Sequence, residues 1–571
     1  MAEVFTFEML PDEMILQVCR YLRGSDVLYS FFNLNTRLNH TITDYCRYMN
    51  LIGIRHHQFD HVVSEILPYI GSYIRSFMLN GNWETILSTK ALTILFAPSI
   101  SFMFSKLQKL TLKLFSGERL LAFLDNMIDF LQLVKLDIRF LKKDADDKLM
   151  TKIFASNNGR LQSISFDDES IALKISEDDD KNMLFPNIQE LRIKLEFINI
   201  LPRLFKIIPN VQRLHVCVEK TLDEEDHNHL FIDLSPFIYL TDFHLRLVKS
   251  LGMFDDITNI LRQMPFLQKL TLDLWTRDER LINGKNLISI LPSSLKQFHF
   301  LIRYYISETN FEIDHVLPTW PKHIPIKYFL DEDNNCVILY TIPCCLRSTI
   351  LSATISKNLP SSWTHIQQVE DLQINDVTSF NEILLIVQHF HRLQRLTIDV
   401  KNKLENVTTS VPSIRLYLPR LKKLEIHGVC QLFPLLQAAP NLEFLIVKYD
   451  CLKTLLDDEP TCNLLRKRIV RLEIFQGENI DSEELQRIAD VFNNLIEFIL
   501  NMKESKIVID LIILTALTLW NKKELFSLHI GGSMSDEATQ NLQKWLINHT
   551  DLTLDHSFAT TYESNWFSLW W

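Results

Sequence analysis

The amino-acid sequence predicts an α/β repeat protein in which a parallel sheet gains one strand per repeat. One observation is a six-residue unit, apolar-x-x-apolar-x-apolar, that recurs from about residue 70 onward. A second is that the segments between copies carry helical periodicity and often end in proline, as at Pro209, Pro265 and Pro440. A third is that the residues ahead of the first copy form three short amphipathic helices.

The first helix is predicted over Leu10–Leu22. Pro11 suits the first helical position, and the acidic residues after it oppose the helix dipole. Gly24 can supply a left-handed cap at the C-terminal end. The apolar stripe of this helix consists of Ile15, Val18, Cys19 and Leu22.

Two further helices are predicted before residue 50. Ser25 or Asp26 can cap the second, and Asn35 or Thr36 can begin the third. Their apolar positions are Val27, Leu28, Phe31 and Phe32, and then Leu34, Leu38, Ile42 and Tyr45 or Cys46. Three such helices cannot bury much apolar surface among themselves. The segment therefore needs a partner, either the rest of the chain or another protein.

The pattern of these fifty residues resembles that of a known family. The matching residues are Leu10-Pro11-Asp12-Glu13, Ile15, Val18, Tyr21-Leu22, Asp26-Val27-Leu28, Leu34 and Asn35-Thr36-Arg37-Leu38-Asn39. They resemble the F-box, with Leu38 where many members carry an aromatic residue. In F-box proteins this segment docks the small adaptor of a cullin–RING ubiquitin ligase, and the rest of the chain recruits the substrate. The resemblance implies that the adaptor is bound by Leu10, Pro11, Ile15, Val18, Leu22, Val27, Leu28, Leu34 and Leu38. The alternative is a helical cap on the repeats.

The six-residue unit occurs sixteen times, with copies mostly 21–33 residues apart. The copies are Ile74–Leu79, Leu107–Leu112, Leu133–Ile138, Leu161–Phe166, Ile188–Ile193, Val211–Val216, Leu240–Leu245, Leu267–Leu272, Leu295–Phe300, Val369–Ile374, Leu393–Ile398, Leu421–Ile426, Leu442–Val447, Ile469–Ile474, Leu495–Leu500 and Leu525–Ile530. Unit and spacing resemble leucine-rich repeats, in which LxxLxL forms a strand and the remainder a helix. The Asn or Cys that this family places beyond the unit is not systematically present, so we expect an irregular array.

Parallel strands joined by helices leave one face of the sheet open, and we expect that face to be concave and to bind the target. By period-two alternation, the residue between the last two apolar positions projects onto it. The candidates for target contact are Thr111, Arg192, His215, Thr271, Thr397 and Glu425. For each of them a merely solvated strand face is the alternative.

The predicted organisation has an irregular middle. We expect an F-box over 1–50, a linker helix over 51–70, a first repeat array over 71–300 and a second array with a C-terminal cap over 369–571. Residues 301–368 are an irregular segment or degraded repeats, for example at 324–330 and 346–351. A kink between two arrays is possible, but we favour one continuous solenoid. The aromatic terminus, Trp566–Trp571, either caps the core or forms a partner-binding tail.

Composition excludes several classes of function. A net charge of −11 and a pI near 5.9 argue against nucleic acid as partner. The 12 glycines form no phosphate-binding pattern, and the nine cysteines, without CxxC, predict reduced buried thiols. The longest apolar run, Ile507–Trp520, is too short to span a bilayer. With no basic leader at the N-terminus, we expect a cytoplasmic and/or nuclear protein that does not bind membranes.

No pattern predicts catalysis. His57 and His61 have i, i+4 spacing but lack an HExxH frame, and there is no GxSxG. We therefore expect no enzyme, no metal and no cofactor. Acidic runs lie between repeats at Glu177–Asp180, Asp223–Asp226, Asp331–Asp333 and Asp457–Glu459. They are either solvated loops or a rim that attracts a basic target.

The leading hypothesis is a non-catalytic substrate-recognition subunit of an SCF-type ubiquitin ligase, with the adaptor, through it a cullin, and an unknown target protein as partners. The second is a ligase-independent scaffold for protein–protein interaction, which burial of the N-terminal helices against the first repeats would favour. A repeat-protein enzyme or GTPase regulator would need a placed catalytic arginine or a metal site, and neither is evident.

Overall fold

A computed structural model describes most of the chain. The described residues are 7–45, 47–81, 94–95, 100–127, 129–141, 148–174, 183–220, 236–306, 312–331, 335–343, 346–358, 368–401, 416–429, 432–477, 480–502, 508–520, 525–552, 558–563 and 565–571. The chain divides into two compact units, Met1–Ile324 and Pro325–Trp571, called unit 1 and unit 2.

Unit 1 contains ten strands in its described part, and each pairs in parallel with the next one along the chain. They are β1 (Tyr48–Asn50), β2 (Ser76–Asn80), β3 (Lys109–Lys113), β4 (Lys135–Arg139), β5 (Ser163–Phe166), β6 (Glu190–Phe197), β7 (Arg213–Lys220), β8 (Asp242–Leu251), β9 (Lys269–Thr276) and β10 (Gln297–Tyr305). Strand β1 was not predicted and lies within the segment assigned to the F-box.

The alternation within each repeat unit gives the sheet of unit 1 an apolar and an open face. In β3, Leu110 and Leu112 are buried, whereas Lys109 and Lys113 reach solvent. Leu110 is in register with Leu136 of β4, so apolar side chains stack from strand to strand. These ladders of leucine and isoleucine form the core, and the helices between strands cover it.

The described helices of unit 1 are short, as expected for connections between adjacent parallel strands. They are α1 (Asp12–Cys19), α2 (Gly24–Phe31), α3 (Thr36–Tyr45), α4 (His56–His61), α5 (Leu67–Ile70), α6 (Ile100–Met103), α7 (Gly117–Asn126), α8 (Leu149–Ala155), α9 (Ile200–Ile207), α10 (Phe254–Arg262), α11 (Gly284–Ser289) and α12 (Ile313–Val316). A π-helical turn, Val62–Ile66, joins α4 to α5.

Unit 2 begins with an antiparallel hairpin, β11 (Ile326–Asp331) and β12 (Cys336–Thr341). Eight strands follow in parallel pairs: β13 (Ser348–Ser352), β14 (Asp371–Val377), β15 (Arg395–Val400), β16 (Lys423–His427), β17 (Phe444–Lys448), β18 (Arg471–Phe475), β19 (Glu497–Asn501) and β20 (Ser527–Gly531). The unit ends with β21 (Ala559–Glu563) and β22 (Trp566–Trp570), antiparallel to each other. These counts refer to the described ranges.

The helices described in unit 2 repeat the same strand–helix order. They are α13 (Phe380–Val387), α14 (Phe433–Ala438), α15 (Tyr449–Leu456), α16 (Glu459–Arg468), α17 (Ser482–Val491), α18 (Asp510–Leu519), α19 (Asp536–Gln540) and α20 (Leu542–His549). None of the helices in the described part of the chain combines the length and the apolar character needed to cross a membrane.

All sixteen predicted repeat units contribute a strand, which confirms the α/β class, the long parallel sheets and the leucine-rich-repeat character. The irregular middle was predicted to contain two degraded repeats, and only the first of them departs from the repeat structure. Residues 326–331 pair antiparallel with 336–341 and form a hairpin, whereas 348–352 pair in parallel with β14 as a repeat strand does. The chain forms two compact units, whose boundary at Ile324 and Pro325 falls in the segment predicted to be irregular.

The start of the second helix corrects one detail of the sequence analysis. Gly24 was expected to cap the first helix in a left-handed conformation, but it is the first residue of α2. The reason is that the Val27 N–H donates to the carbonyl of Arg23, so helical bonding begins earlier than Ser25 or Asp26 would allow as caps. Asn35 does cap α3, because its side chain accepts a 2.8 Å bond from the Leu38 N–H.

A ladder of asparagines takes the place of the missing family ladder. Asn187, Asn210 and Asn441 each stand immediately ahead of a repeat unit. Their side-chain amides donate to main-chain carbonyls of the preceding turn, at 2.8 Å to Gly159, 3.0 Å to Pro186 and 2.7 Å to Pro419. Neighbouring repeats are therefore joined at the edge where the strands begin.

The aromatic C-terminus closes the sheet of unit 2. Strand β22 pairs antiparallel with β20, and Phe567 and Leu569 are completely buried. A terminal strand that runs against the last repeat covers the end of the core, as an array cap must. A mobile partner-binding tail is excluded for these residues.

Candidate binding surfaces

The N-terminal helices α1 to α3 bury one side of each helix. The side chains packed there are Ile15, Cys19, Val27, Leu28, Leu38 and Ile42, none more than 1% exposed. The sequence analysis assigned Ile15, Val27, Leu28 and Leu38 to adaptor contact. In this structure these four lie inside the chain, where they hold the three helices together.

Arg37 fixes the first turn of α1 against α3. Its Nε donates to Asp12 over 2.8 Å, and a terminal nitrogen donates to the carbonyl of Leu10 over 2.6 Å. A guanidinium that holds both a carboxylate and a carbonyl restricts the turn more than a single bond would. The Leu10-Pro11 turn is thereby positioned at the surface.

The outer side of the helices is unusually apolar. Seven large apolar residues that the structure describes between residues 9 and 34 are exposed. Six of them make up this outer side, namely Met9, Met14, Val18, Tyr21, Leu22 and Leu34, whereas the seventh, Tyr29, packs on His57 and His61. Tyr21 is 84% and Leu34 54% exposed, which is costly for side chains that contact only water. The predicted adaptor residues Leu10, Pro11, Val18, Leu22 and Leu34 all reach this surface to some extent.

Helix α2 also packs on the segment between β1 and β2, which leads into the first repeat. The Tyr29 ring lies edge-on to the rings of His57 and His61, at centroid distances of 5.7 and 5.5 Å. The guanidinium of Arg23 donates to the carbonyl of Gly53. The module is therefore both anchored to the repeats and exposed on its far side. The i, i+4 histidine pair serves this packing.

The open face of unit 1 brings four predicted contact residues into one row. Arg192 of β6 is in register with His215 of β7, and Thr111 and Thr271 occupy the equivalent positions of β3 and β9. Arg192 is exposed and His215 half-buried, but both threonines are buried. The Thr111 hydroxyl has no hydrogen-bond partner among the described residues.

A chain of charges crosses this open face. Asp168 lies 3.0 Å from Arg192 and 3.3 Å from Arg246. Arg246 in turn lies 3.3 Å from Asp273, which pairs with Arg303 at 2.6 Å. Burial would raise the pKa of Asp168, but Arg192 and Arg246 outweigh it and hold this pKa below its usual value.

Neutral groups lie beside these charges. Burial, reinforced by the neighbouring His215, lowers the pKa of His244 to about 4, so its ring is uncharged at pH 7. The rings of His215 and His244 are 5.2 Å apart. Burial raises the pKa of the Cys217 thiol to about 11, which makes it a poor nucleophile. At pH 7 both groups are therefore uncharged.

In unit 2 the predicted contacts Thr397 and Glu425 are in register on β15 and β16 and half-buried. A hydrogen bond with His427, 3.0 Å away, lowers the pKa of Glu425. On β18, burial raises the pKa of Glu473; Lys423 opposes this, and Glu425 and Glu497 add to it. This surface is thus a mixture of both charges.

The residues that connect the open face of unit 1 were not among the candidates selected for target contact. Asp168 stands two residues beyond its repeat unit, and Arg246, Asp273 and Arg303 lie past the position that was singled out. Their alternation with the leucines would have placed the last three on the open face. No pattern in the sequence indicates that Asp168 bridges two arginines.

Several other predicted features serve structure or lie outside the described residues. No three histidine, cysteine or acidic side chains are grouped for a metal ion in the described ranges. Asp458 caps α16, and Asp331 is buried and accepts a 2.7 Å bond from Thr354, so these acidic positions are not free loop tips. The acidic runs 177–180 and 223–226 fall outside the described ranges. The five described cysteines are buried: Cys19, Cys217, Cys336, Cys451 and Cys462.

Comparison with known proteins adds little to this geometry. No protein-family model and no curated protein matches the chain. Among solved structures, a leucine-rich-repeat protein of Leptospira interrogans aligns at 15% identity with a TM-score of 0.22, covering 76% of this chain and 98% of that one. That similarity is too low to transfer a property.

Proposed function

We propose that this chain is the non-catalytic substrate-recognition subunit of a cullin–RING (SCF-type) ubiquitin ligase in the cytoplasm and/or nucleus. The N-terminal helices bind the adaptor, and through it the cullin, while the repeats hold a target protein. The chain contributes positioning: a ligase accelerates transfer when it keeps the target lysine near the activated ubiquitin.

The observation that carries the proposal is the apolar outer side of α1 to α3. It coincides with the segment that resembles the F-box, and its members Val18, Leu22 and Leu34 were assigned to adaptor contact from that resemblance. Burying such side chains in an interface is worth roughly 1.5–3 kcal/mol each. A partner with an apolar groove would gain this energy.

Rigid attachment of the helices supports the same proposal. Because α2 packs on α4, in the segment that joins β1 to β2, an adaptor bound to α1 keeps a defined position relative to the sheet of unit 1. The Arg37 contacts with Asp12 and Leu10 hold the docking turn in place before binding.

A second candidate is a ligase-independent scaffold for protein–protein interaction. It is favoured by the burial of Ile15, Val27, Leu28 and Leu38 and by the contacts of α2 with the segment between β1 and β2. In that case the helices only cap the array, and the apolar outer side binds some other protein.

Co-purification with the adaptor separates the two candidates. Val18→Asp/Leu34→Asp places charges on the outer side without touching the buried side chains, and it should weaken adaptor binding at least about tenfold. A change at Ile15 is unsuitable, because that side chain is 0% exposed. Leu131→Asp, at a site 75% exposed outside the helices, is the matched control and should bind normally.

Melting curves must show that all variants remain folded. If folded wild-type protein retains no adaptor, or if the double variant retains as much as the control, the ligase function is wrong and the scaffold takes its place.

A further inference from the structure

The ion pairs on the open face of unit 1 present their cations to solvent. Lys109 and Asp137 lie 3.8 Å apart, with 43% of the lysine side chain and 12% of the aspartate side chain exposed. The cation is also more exposed than the carboxylate in four further pairs: Arg139–Asp137, Arg192–Asp168, Arg213–Glu190 and Lys269–Asp242. Only deeper groups depart from this order: Lys194 is less exposed than Glu219, Arg246 is less exposed than Asp168 although more exposed than Asp273, and Arg303 is as buried as Asp273.

In ion pairs on the helix side of the same unit, the carboxylate is more exposed than the cation. Lys152 of α8 and Asp125 of α7 lie 3.5 Å apart, with 45% and 63% of their side chains exposed. In the pair of Arg280 with Asp255 of α10, 2.9 Å apart, the aspartate is also the more exposed partner. Lysine and arginine are longer than aspartate on both sides, so side-chain length does not explain the difference.

The exposed cations extend across much of the sheet. They lie on β3, β4, β6, β7 and β9, and neighbouring strands are about 4.8 Å apart, so the row spans roughly 30 Å. An extended peptide advances about 3.3 Å per residue and covers this distance with about nine residues. The surface therefore fits an extended segment, and a single small anion would use only part of it.

Building on the proposed function, we propose that the open face of unit 1 binds an extended acidic segment of the target protein. The carboxylates of such a segment meet Lys109, Arg139 and Arg192 before they meet the shielded aspartates. Those aspartates hold the cations in position, which reduces the entropy lost on binding. In a chain of net charge −11, a cationic face also gives an acidic partner a preferred place to dock.

The test is the binding of a fluorescent twelve-residue poly-glutamate peptide to the full-length protein, followed by anisotropy. Wild type should bind at low salt, and the affinity should fall as salt rises. Lys109→Glu and Arg192→Glu should each weaken binding about fivefold or more, because each reverses a charge in the row. Lys152→Glu, which reverses a lysine of equal exposure on the helix side, should change binding less than about twofold.

Three results would overturn the inference. The first is no peptide binding by wild type at low salt, and the second is an equal loss of peptide affinity for Lys109→Glu and Lys152→Glu. The third is displacement of the peptide by a twelve-nucleotide RNA at lower concentration than by unlabelled poly-glutamate. The last would identify the face as a nucleic-acid surface.

The inference and the proposed function fail separately. Arg192→Glu should leave adaptor binding unchanged, and Val18→Asp/Leu34→Asp should leave peptide binding unchanged. Peptide binding without adaptor binding by wild type would remove the ligase role alone. Adaptor binding without peptide binding would remove the acidic segment alone.

Discussion

Asp273 is a residue whose charge the fold requires. Its side chain is 2% exposed and lies 2.6 Å from Arg303, which is equally buried, and 3.3 Å from Arg246. We expect Asp273→Asn to lower the free energy of unfolding by about 3 kcal/mol, because it leaves two arginines without their shared counter-charge. Urea denaturation at pH 7 measures this.

The matched control is Asp125→Asn, which removes an exposed ion pair with Lys152. It should cost less than about 1 kcal/mol. Equal losses for the two variants would show that the buried arginines are not held by Asp273.

Glu473 is a carboxyl group whose charge the fold disfavours, because burial raises its pKa above the usual 4.5. Its ionisation is unfavourable in the folded state, so this carboxyl favours folding below pH 4.5 and loses that effect as pH rises through its folded pKa. Glu473→Gln should therefore raise the melting temperature at pH 7 and change it little at pH 4.

Glu497→Gln is the comparison for Glu473, because Glu497 lies 3.6 Å from Arg471. It should not stabilise the protein at pH 7. A lower melting temperature for Glu473→Gln at pH 7 would contradict the account.

For individual residues, the sequence predicted the face of the sheet on which a side chain lies better than it predicted how deeply that side chain is buried. Alternation with the leucines correctly put Arg192, His215 and Thr271 on the face away from the core. It did not predict that Thr271 is buried, because alternation gives the face of a side chain and not what surrounds it. Asp168 was missed for the same reason: its partners come from β6 and β8.

Among the elements, the turns ahead of the strands depend on asparagine. Asn157 is buried, has a positive φ of 52°, and its amide donates to the carbonyls of Phe130 and Leu133 at 2.9 and 3.0 Å. It also accepts a 2.8 Å bond from the Phe130 N–H. Asn157→Ala should cost about 3 kcal/mol in unfolding free energy, since three side-chain hydrogen bonds to the backbone of buried residues are lost.

Asn187→Ala tests the exposed version of this turn. Its amide makes one bond, to Gly159, and water can replace it, so the loss should be about 1 kcal/mol or less. Equal losses for Asn157→Ala and Asn187→Ala in thermal unfolding would show that the buried hydrogen bonds of Asn157 do not stabilise the joint between repeats.

Strands were easier to predict than the other elements. Each apolar-x-x-apolar-x-apolar unit became a strand because the alternation and the spacing agree. Helix ends were less certain: the helix predicted over Leu10–Leu22 is Asp12–Cys19. The β11–β12 hairpin was missed because an apolar run does not reveal its pairing direction.

For the whole molecule, composition and repeats predicted the α/β class, but not its division into two units. The proposed function depends on the first fifty residues, which resemble the F-box although no protein-family model matches the chain. Their structure combines a buried inner side with an exposed apolar outer side. The account therefore depends on whether this outer side binds an adaptor.

The most direct measurement is calorimetric titration of the purified full-length protein with the ligase adaptor. The account predicts a 1:1 complex with a negative heat-capacity change, because apolar side chains such as Leu22 and Leu34 become buried. The same titration with Val18→Asp/Leu34→Asp should give no complex, while Leu131→Asp behaves as wild type. Absence of binding by folded wild-type protein would contradict the central claim.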